Sequence, residues 1–409
     1  MIWVSNYGMF ATIVAGLTTL LTVAGLGYYL IAIWSARAFL RRPRFPAGFA
    51  PSVSILKPLH GLDPGMLEAF ASHCRQNYSG EYEILFGVSR LDDPAAAVVT
   101  QLRADFPDHA IRLIHTPQVL GPNGKISNLA QLVPHARFDH LVIADSDIRV
   151  GPNYLSHVLA PFAPVESQRA VGLVTALYRG RAHETLGSKL EALGISTDFV
   201  PGVLTSRFIE RGLHFGLGST LAVSRTALDA IGGLAPLAEY LSDDYELGAR
   251  IDAAGFRVEL TNEIVETHVP AWSFSGYLHH QLRWSRAMRD SRHAGYAGLV
   301  VSYGLAWAVL NLIASGLSLP AFALFTLALL LRLSLALGVG VGILDDRQVL
   351  RDLWLLLPRD FLALGVWAWS YASDAIAWRD ERFLLKEGKL VKLEPAVTLA
   401  ETPQASIKT

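Results

Sequence analysis

The chain has 409 residues, too many for one ordinary domain, and 51% of them are hydrophobic. Only 17% are charged and the net charge is −1, so the composition gives no electrostatic case for nucleic-acid binding. Cys74 is the only cysteine, which excludes a disulfide framework and fits a domain that faces the cytoplasm.

The first predicted element is a membrane anchor, assigned to residues 1–36. No charged residue occurs from Met9 to Trp34, a run long enough to cross a hydrocarbon core of about 30 Å. A secretory signal is the alternative, but the run is long and lacks a basic start. By the positive-inside rule, the N-terminus lies outside and the following arginines lie in the cytoplasm: Arg37, Arg41, Arg42 and Arg44.

Residues 50–270 have the pattern of a globular α/β domain. Apolar, β-rich runs at 52–58, 81–89, 109–116 and 141–150 alternate with predicted helices that begin near Pro64, Pro94 and Gly124. This alternation, with short connections, predicts a mostly parallel, doubly wound sheet. The remainder of the domain holds the apolar run 171–178, the glycine-containing run 214–225 and a helix that starts near Ser242.

Two aspartates, Asp145 and Asp147, end the apolar part of the run 141–150. Ligands of open α/β sheets bind at the carboxyl edge of the strands, and two carboxylates there can present oxygens to a hard divalent cation. The alternatives are a loop with two solvated acids or a helix cap ahead of Gly151.

Two further acidic pairs occur, Asp92-Asp93 at another strand end and Asp243-Asp244 at a helix start. For the second pair, capping by Ser242 and the helix dipole give an ordinary structural explanation. Acids that converge on one crevice repel one another unless a cation or a donor network compensates, so the set as a whole indicates a site.

A basic, amphipathic segment, residues 271–294, precedes the next apolar region. It places Tyr277, Trp284 and Met288 near one face of a helix and supplies four arginines. Such a helix can lie on anionic headgroups. Arg283 and Trp284 can also point back at a phosphate-bearing ligand, because a planar guanidinium suits phosphate recognition, and both roles can hold together.

Residues 295–380 are assigned to a C-terminal membrane region, with spans at 295–319 and 321–343. Arg332 interrupts the second span, and the sequence offers no partner for it. A third apolar segment, 352–377, is broken at Pro358 and either spans, re-enters or lies in the interface, so the side of the C-terminus stays open. Residues 391–409 are assigned to a polar tail.

The order of these motifs resembles that of the family 2-type glycosyltransferases with a GT-A fold, and most closely the ceramide glucosyltransferase group. Bacterial enzymes that glycosylate hopanoids look similar. The resemblance implies an α/β GT-A-type catalytic domain, Rossmann-like with a mostly parallel sheet, flanked by transmembrane helices. It rests on KPLHGLDP (57–64), LDDPA (91–95), GPNGKISNL (121–129), ADSDIRV (144–150), GGLAPLAEYLSDDYELGARIDAAGFR (232–257) and LRW (282–284).

The resemblance also implies residue roles. Asp244 would be the general base, with Asp243 shaping its surroundings, and Asp145 and Asp147 would hold Mg²⁺ or Mn²⁺ on the diphosphate. The adjacent acids 92 and 93 would lie near the base and ribose, and the Arg-Trp pair would close on the diphosphate or the acceptor. The implied donor-binding set is Asp92, Asp93, Lys125, Asp145, Arg283 and Trp284.

Two departures from the family pattern stand out. The ceramide group often has glycine at the position of Asp147, so the aspartate strengthens the metal interpretation. The closing motif usually begins with Gln or Arg, whereas this chain has His280, with Gln281 shifted by one, which leans toward the hopanoid-type branch. His268, His279 and His280 are candidates for acceptor contacts, and interfacial histidines without a role are the alternative.

The expected protein is a membrane-bound, inverting enzyme that moves a hexose from a UDP-sugar to a lipid hydroxyl, with its catalytic domain in the cytoplasm. In a bacterium it would reside in the inner or plasma membrane. Its expected partners are a UDP-sugar, a membrane lipid and the bilayer, without nucleic acid. N-acetylglucosamine transfer to a hopanoid and an inactive membrane scaffold are the alternatives. A processive synthase is disfavoured by the few C-terminal spans. The sugar and the lipid remain open.

Overall fold

In the computed structural model, which describes residues 2–45, 48–166, 168–378 and 381–393, one eight-stranded sheet organises the globular half of the chain. Most of the predicted polar tail, 391–409, lies outside the described residues. The strands of this sheet are β1 (Val53–Leu59), β2 (Tyr82–Val88), β3 (Ala110–His115), β4 (His140–Ile143), β5 (Ile148–Arg149), β6 (Val171–Arg181), β7 (Leu221–Ser224) and β8 (Arg257–His268).

The strand order is β3-β2-β1-β4-β7-β6-β8-β5. The pairs β1–β2, β2–β3, β1–β4 and β6–β8 are parallel. Strand β7 runs antiparallel to both β4 and β6, and β5 runs antiparallel to β8. The predicted mostly parallel α/β fold is therefore confirmed.

Helices connect the strands and continue into the apolar C-terminal region. The short 3-10 turns are Val133–His135, Ala160–Phe162, Ala235–Leu237, Leu299–Tyr303 and Leu353–Leu355, and the π turns are Ile195–Phe199 and Leu337–Val341. The α-helices are α1 (Ile2–Leu40), α2 (Met66–Cys74), α3 (Ala95–Asp105), α4 (Gly124–Leu132), α5 (Tyr154–Leu159), α6 (Leu186–Gly194), α7 (Val200–Ile209), α8 (Arg225–Ala230), α9 (Asp243–Ala253), α10 (Phe274–Ser291), α11 (His293–Gly298), α12 (Gly304–Ala314), α13 (Leu319–Ala336), α14 (Gln348–Asp352) and α15 (Leu356–Ser370).

The central strands β1 and β4 are buried along most of their length. Residues 141–143 of β4 and 53–56 of β1 are almost fully excluded from solvent. A strand that is covered on both faces needs apolar residues at every position, which explains the continuous apolar runs in the sequence.

The predicted single strand 141–150 is in fact two strands. Strand β4 ends at Ile143 and β5 begins at Ile148, and a turn closed by Ile148 N–H and the Asp145 carbonyl (3.3 Å) separates them. Strand β5 pairs with β8 at the edge of the sheet rather than extending β4. The acidic turn therefore lies at the carboxyl end of a central strand, as predicted.

Among the described residues, three helical segments are long and apolar enough to cross a membrane: Ala11–Leu40, His293–Ala314 and Leu319–Val341. They correspond to the predicted anchor and the first two predicted C-terminal spans. Helix α1 packs closely on α12, since a Cβ atom on Gly25 would lie 2.4 Å from the Gly304 Cα. Small residues permit such an approach between membrane helices.

Helix α1 is also fixed to the globular domain at its C-terminal end. Arg42 donates to the Glu259 carboxylate at 2.6 Å and to the Leu260 carbonyl at 2.8 Å. Glu259 and Leu260 belong to β8, so the anchor is joined directly to the central sheet.

The third apolar segment, 352–377, is not among these candidate spans. It holds the end of α14, a 3-10 turn and α15, which ends at Ser370. An unpredicted antiparallel sheet follows it, with strands β9 (Ala375–Trp378), β10 (Glu381–Lys386) and β11 (Lys389–Lys392) in the order β11-β10-β9. This C-terminal sheet packs beside α10 and the loop before α9.

Candidate active site

A cavity of about 470 Å³ opens beyond the carboxyl end of β4. Its walls come from the sheet, from α4, α6 and α9, from α10 and from β9. Most of the sequence-predicted site residues line it: Lys125, Asp145, Asp147, Asp243, Asp244, His268, His280, Arg283 and Trp284.

Lys125 lies among carboxylates from separate parts of the chain. Its Nζ is 2.7 Å from Asp145 Oδ1 and 3.6 Å from Asp243 Oδ2. Lys125 lies in the first turn of α4, a helix whose start is fixed by the Asn123 side chain accepting from the Ile126 N–H. Burial opposes the charge of Lys125, but the carboxylates outweigh burial and raise its pKa. The lysine therefore supplies part of the charge that the acidic cluster needs.

The turn after β4 is held by a second, deeper lysine. Lys57 is fully buried and donates to the Asp145 carbonyl at 2.9 Å. Burial lowers the pKa of Lys57 to about 8, against the opposing effect of the two acids of the turn. Asp147 accepts a hydrogen bond from the Thr267 hydroxyl, and burial together with Asp145 raises the pKa of Asp147 to about 6.

Asp244 lies in the first turn of α9, where nearby positive charge only partly offsets the burial of its carboxylate. Its Oδ1 accepts from the Tyr245 N–H at 2.8 Å. Burial and then Asp243 raise the pKa of Asp244 to about 6, and Lys125 opposes this rise. Gly218 lies opposite, where a Cβ atom would be 3.1 Å from Asp244 Oδ2, so the glycine leaves this side of the carboxylate uncrowded.

Asp243 is fixed by a structural contact of its own. Asn123 Nδ2 donates to Asp243 Oδ1 at 3.2 Å and to the Tyr240 carbonyl at 2.9 Å. The sequence also allowed an ordinary structural explanation, in which the Ser242 side chain caps α9. The Ser242 side chain makes no capping hydrogen bond, so that explanation does not hold. The start of α9 is therefore held by Asn123, which bonds both Asp243 and the loop that precedes α9.

Asp92 and Asp93 do not line the cavity. Asp93 accepts from the Gly61 N–H at 3.1 Å and from the Ala95 N–H at 2.9 Å, which joins the loop after β1 to the start of α3. Asp92 is exposed and pairs with Arg90 at 2.6 Å, and this partner lowers the pKa of Asp92. Their role at the base and ribose stays a prediction.

The candidate histidines differ in their surroundings. His268, at the end of β8, lies against Gly65, where a Cβ atom would be 3.0 Å from its Cε1. His280 lies on α10 with Arg283 and Trp284, and its ring is 4.9 Å from the Trp284 ring. His279 is exposed, bonds the Ser275 carbonyl at 2.8 Å and is not part of the cavity wall.

Several cavity residues were missed by sequence reasoning, among them four with large polar or aromatic side chains, Tyr178, Glu191, Trp272 and Trp378. Tyr178 is the last residue of the apolar run 171–178 and lies within β6, so its place in a predicted strand was a usable signal. The other three sit in segments without a recognisable motif, and only the tertiary fold brings them to the cavity.

The carboxylates of the turn after β4 suit a divalent cation. In the described part of the chain, no group of three or more His, Cys, Asp or Glu side chains is arranged to hold one. Asp145 and Asp147 supply carboxylate oxygens, which hard cations prefer. They lie close enough for Asp145 to raise the pKa of Asp147. Two protein carboxylates leave the remaining ligand positions to oxygens of a phosphate-bearing ligand.

Comparisons with known proteins agree with the geometry. The chain is 24% identical over 274 residues to ceramide glucosyltransferase 3 of Caenorhabditis elegans, which covers 65% of this chain and 58% of that protein. It is 25% identical over 279 residues to the beta-monoglucosyldiacylglycerol synthase of Trichormus variabilis, a match that covers 66% of this chain and 55% of that protein. The chain thus spans little more than half the length of these relatives.

The fold has a solved counterpart. The mannosyltransferase PcManGT from Pyrobaculum calidifontis, in complex with GDP-Man and Mn²⁺, superposes with a TM-score of 0.53 at 18% identity, over 87% of this chain and 99% of that one. In sequence, residues 17–391 match the profile of glycosyl transferase family 21. Because that match covers most of the chain, the protein belongs to glycosyl transferase family 21.

Proposed function

We propose that this protein transfers a hexose from a UDP-sugar to the hydroxyl of a membrane lipid, with inversion at the anomeric carbon. The observation that carries the proposal is the convergence of carboxylates from β4 and α9 around Lys125 in one cavity, with α10 forming another wall. Helix α10 ends at Ser291 and a candidate membrane span begins at His293.

The donor side of the cavity is the acidic turn after β4. Asp145 and Asp147 would hold a Mg²⁺ or Mn²⁺ ion against the diphosphate, and Lys125 and Arg283 would add positive charge near it. An ion held there would supply positive charge that offsets the charge developing on the leaving diphosphate. The neighbour of the same fold contains GDP-Man and Mn²⁺, which supports this arrangement.

Asp244 is the proposed general base. A carboxylate with a pKa of about 6 is still largely ionised at neutral pH and is a better proton acceptor than a solvated carboxylate. A single base that activates the lipid hydroxyl on the face opposite the leaving diphosphate gives one displacement. The expected product from an α-linked donor is therefore β-linked.

The acceptor side faces the membrane region. Arg283, Trp284 and Met288 of α10 line the cavity, and the candidate span that follows begins at His293, in the turn after α10 ends. A lipid hydroxyl at the interface can enter without extraction of the lipid from the bilayer. The arginines that follow the first apolar run support a cytoplasmic position for this side by the positive-inside rule. Transfer of N-acetylglucosamine to a hopanoid is the second candidate, favoured by His280 in place of Gln or Arg.

The test uses the full chain in liposomes with Mn²⁺. UDP-glucose and UDP-N-acetylglucosamine are each offered with ceramide, dioleoylglycerol or a hydroxylated hopanoid, and the products are identified by mass spectrometry. Formation of a β-linked glycolipid by the wild type, and its loss in Asp244→Asn with UDP binding retained, supports the proposal. An α-linked product contradicts the inverting mechanism. Absence of both transfer and donor hydrolysis with every pair supports the inactive scaffold instead.

A further inference from the structure

Tyr178 lines the cavity from β6 and has no part in the chemistry proposed above. The residue is only 8% exposed, and its ring packs against the Phe199 ring with the centroids 5.3 Å apart. Packing of this kind needs only the ring, and a phenylalanine would supply it equally well. The hydroxyl of Tyr178 is therefore the part of the side chain that needs an explanation.

The Tyr178 hydroxyl has no partner among the residues that the structure describes. It makes no hydrogen bond to any of them, and it is also not one of the fully buried polar atoms that lack a partner. The oxygen is thus reached from the cavity that Tyr178 lines. Because a tyrosine hydroxyl in a buried side chain usually finds a partner, one that opens on a cavity is available to a ligand.

The sheet places Tyr178 between the acidic turn and the proposed base. Strand β6 lies between β7 and β8 in the strand order. Strand β8 pairs in parallel with β6 and carries Thr267, which donates to Asp147 of the turn. On the other side, the loop that enters β7 carries Gly218, which faces Asp244. Tyr178 therefore adjoins both ends of the proposed reaction.

The charges around the phenol agree with this position. Burial raises the pKa of Tyr178, and four carboxylates of the cavity add to the rise, in the order Asp244, Glu191, Asp147 and Asp145. The phenol is therefore uncharged at neutral pH and keeps a proton to donate. Since ionised carboxylates only accept hydrogen bonds, Tyr178 adds a neutral donor to an acidic part of the cavity.

We propose that the Tyr178 hydroxyl donates a hydrogen bond to a hydroxyl of the transferred hexose and thereby contributes to the choice of sugar. This inference rests on the proposed function and deepens it by assigning a contact to the sugar itself. In a single displacement, the anomeric carbon lies between the attacking oxygen and the leaving diphosphate. A side chain that adjoins both the base and the turn proposed to hold the diphosphate lies beside the sugar ring.

Such a contact affects recognition of the sugar and leaves the transfer of the proton to Asp244 as it is. A site that bonds a substrate hydroxyl discriminates against an analogue without that hydroxyl, because a polar group of the protein is then left unpaired. Tyr178 should therefore matter for the sugar half of the donor and not for its nucleotide half.

The experiment uses Tyr178→Phe, which keeps the ring against Phe199 and removes only the hydroxyl. The matched control is Tyr82→Phe, since the Tyr82 hydroxyl donates to the Cys74 carbonyl at 2.9 Å and lies outside the cavity wall. Affinities for UDP and for UDP-glucose are measured by calorimetry without lipid. Values of kcat/KM are measured with the full chain in liposomes, for UDP-glucose and a set of monodeoxy analogues that each lack a different sugar hydroxyl.

We expect Tyr178→Phe to bind UDP as the wild type does and to lose about three- to tenfold in both UDP-glucose affinity and kcat/KM. In the wild type, one analogue should lose a similar factor. Tyr178→Phe should lose nothing further with that analogue, because the two changes remove the same hydrogen bond. Tyr82→Phe should match the wild type in every measurement.

Three results would overturn the proposal and assign Tyr178 to packing alone: unchanged kinetics in Tyr178→Phe, losses that multiply for every analogue, or an equal loss of affinity for UDP and UDP-glucose. If the wild type transfers N-acetylglucosamine instead, the same series built on that sugar decides. A wild type that binds and transfers neither sugar is a failure of the proposed function, which is distinct from an active wild type with an unaffected Tyr178→Phe variant.

Discussion

Arg332 makes a two-point contact with Asp360 inside the candidate membrane region. Arg332 Nε lies 2.9 Å from Asp360 Oδ2, and its Nη2 lies 2.7 Å from Asp360 Oδ1, with both side chains almost fully buried. The guanidinium also donates to the Thr197 carbonyl at 2.8 Å and to Asp198 at 2.7 Å. The arginine without a partner in the sequence thus joins α13 and α15 to the π turn whose Ile195 and Phe199 line the cavity.

The first prediction concerns this contact. Arg332→Met removes the charge and leaves Asp360 buried without its partner, which should destabilise the folded protein by about 3–5 kcal/mol. The double variant Arg332→Met/Asp360→Leu should recover part of that loss, because no unpaired charge is left between the helices. Unfolding in detergent measures both. Additive losses in the double variant would show that the two side chains are not coupled.

The second prediction concerns Asp244. Asp244→Asn keeps the size of the side chain but removes the proton acceptor, so turnover should fall on the order of 10²–10⁴-fold, with UDP affinity retained. The matched control is Asp139→Asn, since the Asp139 side chain is 87% exposed and lies outside the cavity wall. A comparable loss of UDP binding in Asp244→Asn would assign Asp244 a structural role.

The third prediction is a dependence on pH with opposite signs for rate and stability. The pKa of Asp244 is raised from 3.8 to about 6, so kcat/KM should fall as the pH drops through about 6 and the base becomes protonated. Because the folded state binds this proton more tightly than the unfolded state, the contribution of Asp244 to stability is full below pH 3.8 and is lost as the pH rises through about 6.

Asp244→Asn separates the two effects. At pH 7.5 the variant should be inactive yet unfold at a higher temperature than the wild type, because a buried charge that repels Asp243 has been removed. At pH 4.5 the difference in unfolding temperature should shrink. Thermal unfolding at the two pH values measures this, and an unfolding temperature at pH 7.5 equal to or below that of the wild type would contradict it.

The fourth prediction concerns the turn of the β10–β11 hairpin. Gly388 has a φ of +79°, and a Cβ atom there would lie 3.0 Å from the Tyr240 ring. Its carbonyl accepts from the Leu241 N–H at 3.3 Å, just before the acidic start of α9. Gly388→Val should therefore cost about 1–2 kcal/mol in backbone strain and lower turnover by disturbing the loop before Asp243.

Lys386→Ala serves as the control for the hairpin, because that exposed side chain lies in the same strand pair. Turnover and thermal unfolding are measured for both variants. Normal turnover in a destabilised Gly388→Val protein would show that the hairpin supports the fold without shaping the cavity.

Local sequence patterns were enough to predict the first half of the sheet and the acidic cluster. The runs behind β1 and β2 are apolar because those strands are buried, and Asp145 follows a strand whose end had to lie at the carboxyl edge. The prediction that Lys125 belongs to the site came from the resemblance to known glycosyltransferases. The contact between Lys125 and Asp145 agrees with it.

What the sequence could not predict depends on contacts between distant segments. Glu191 is an ordinary helical acid until α10 brings His280 to it, 89 positions later. The C-terminal sheet has a hairpin signal, Glu387-Gly388 between short β-prone runs. Its first strand, β9, fell within the region assigned to the membrane, 295–380, and the hairpin itself was given no assignment as strands. The division of the run 141–150 into two strands was not predicted. It depends on the pairing of β5 with β8, and strand pairing is not a local property of the sequence.

Trp378 reaches the cavity from β9, which follows all three candidate spans along the chain, while the acids it faces precede two of them. The order of translation therefore matters. When the acidic cluster leaves the ribosome, one wall of the cavity does not yet exist, and that wall is synthesised only after the two later candidate spans. A nascent chain that stops before β9 therefore cannot form the complete cavity wall.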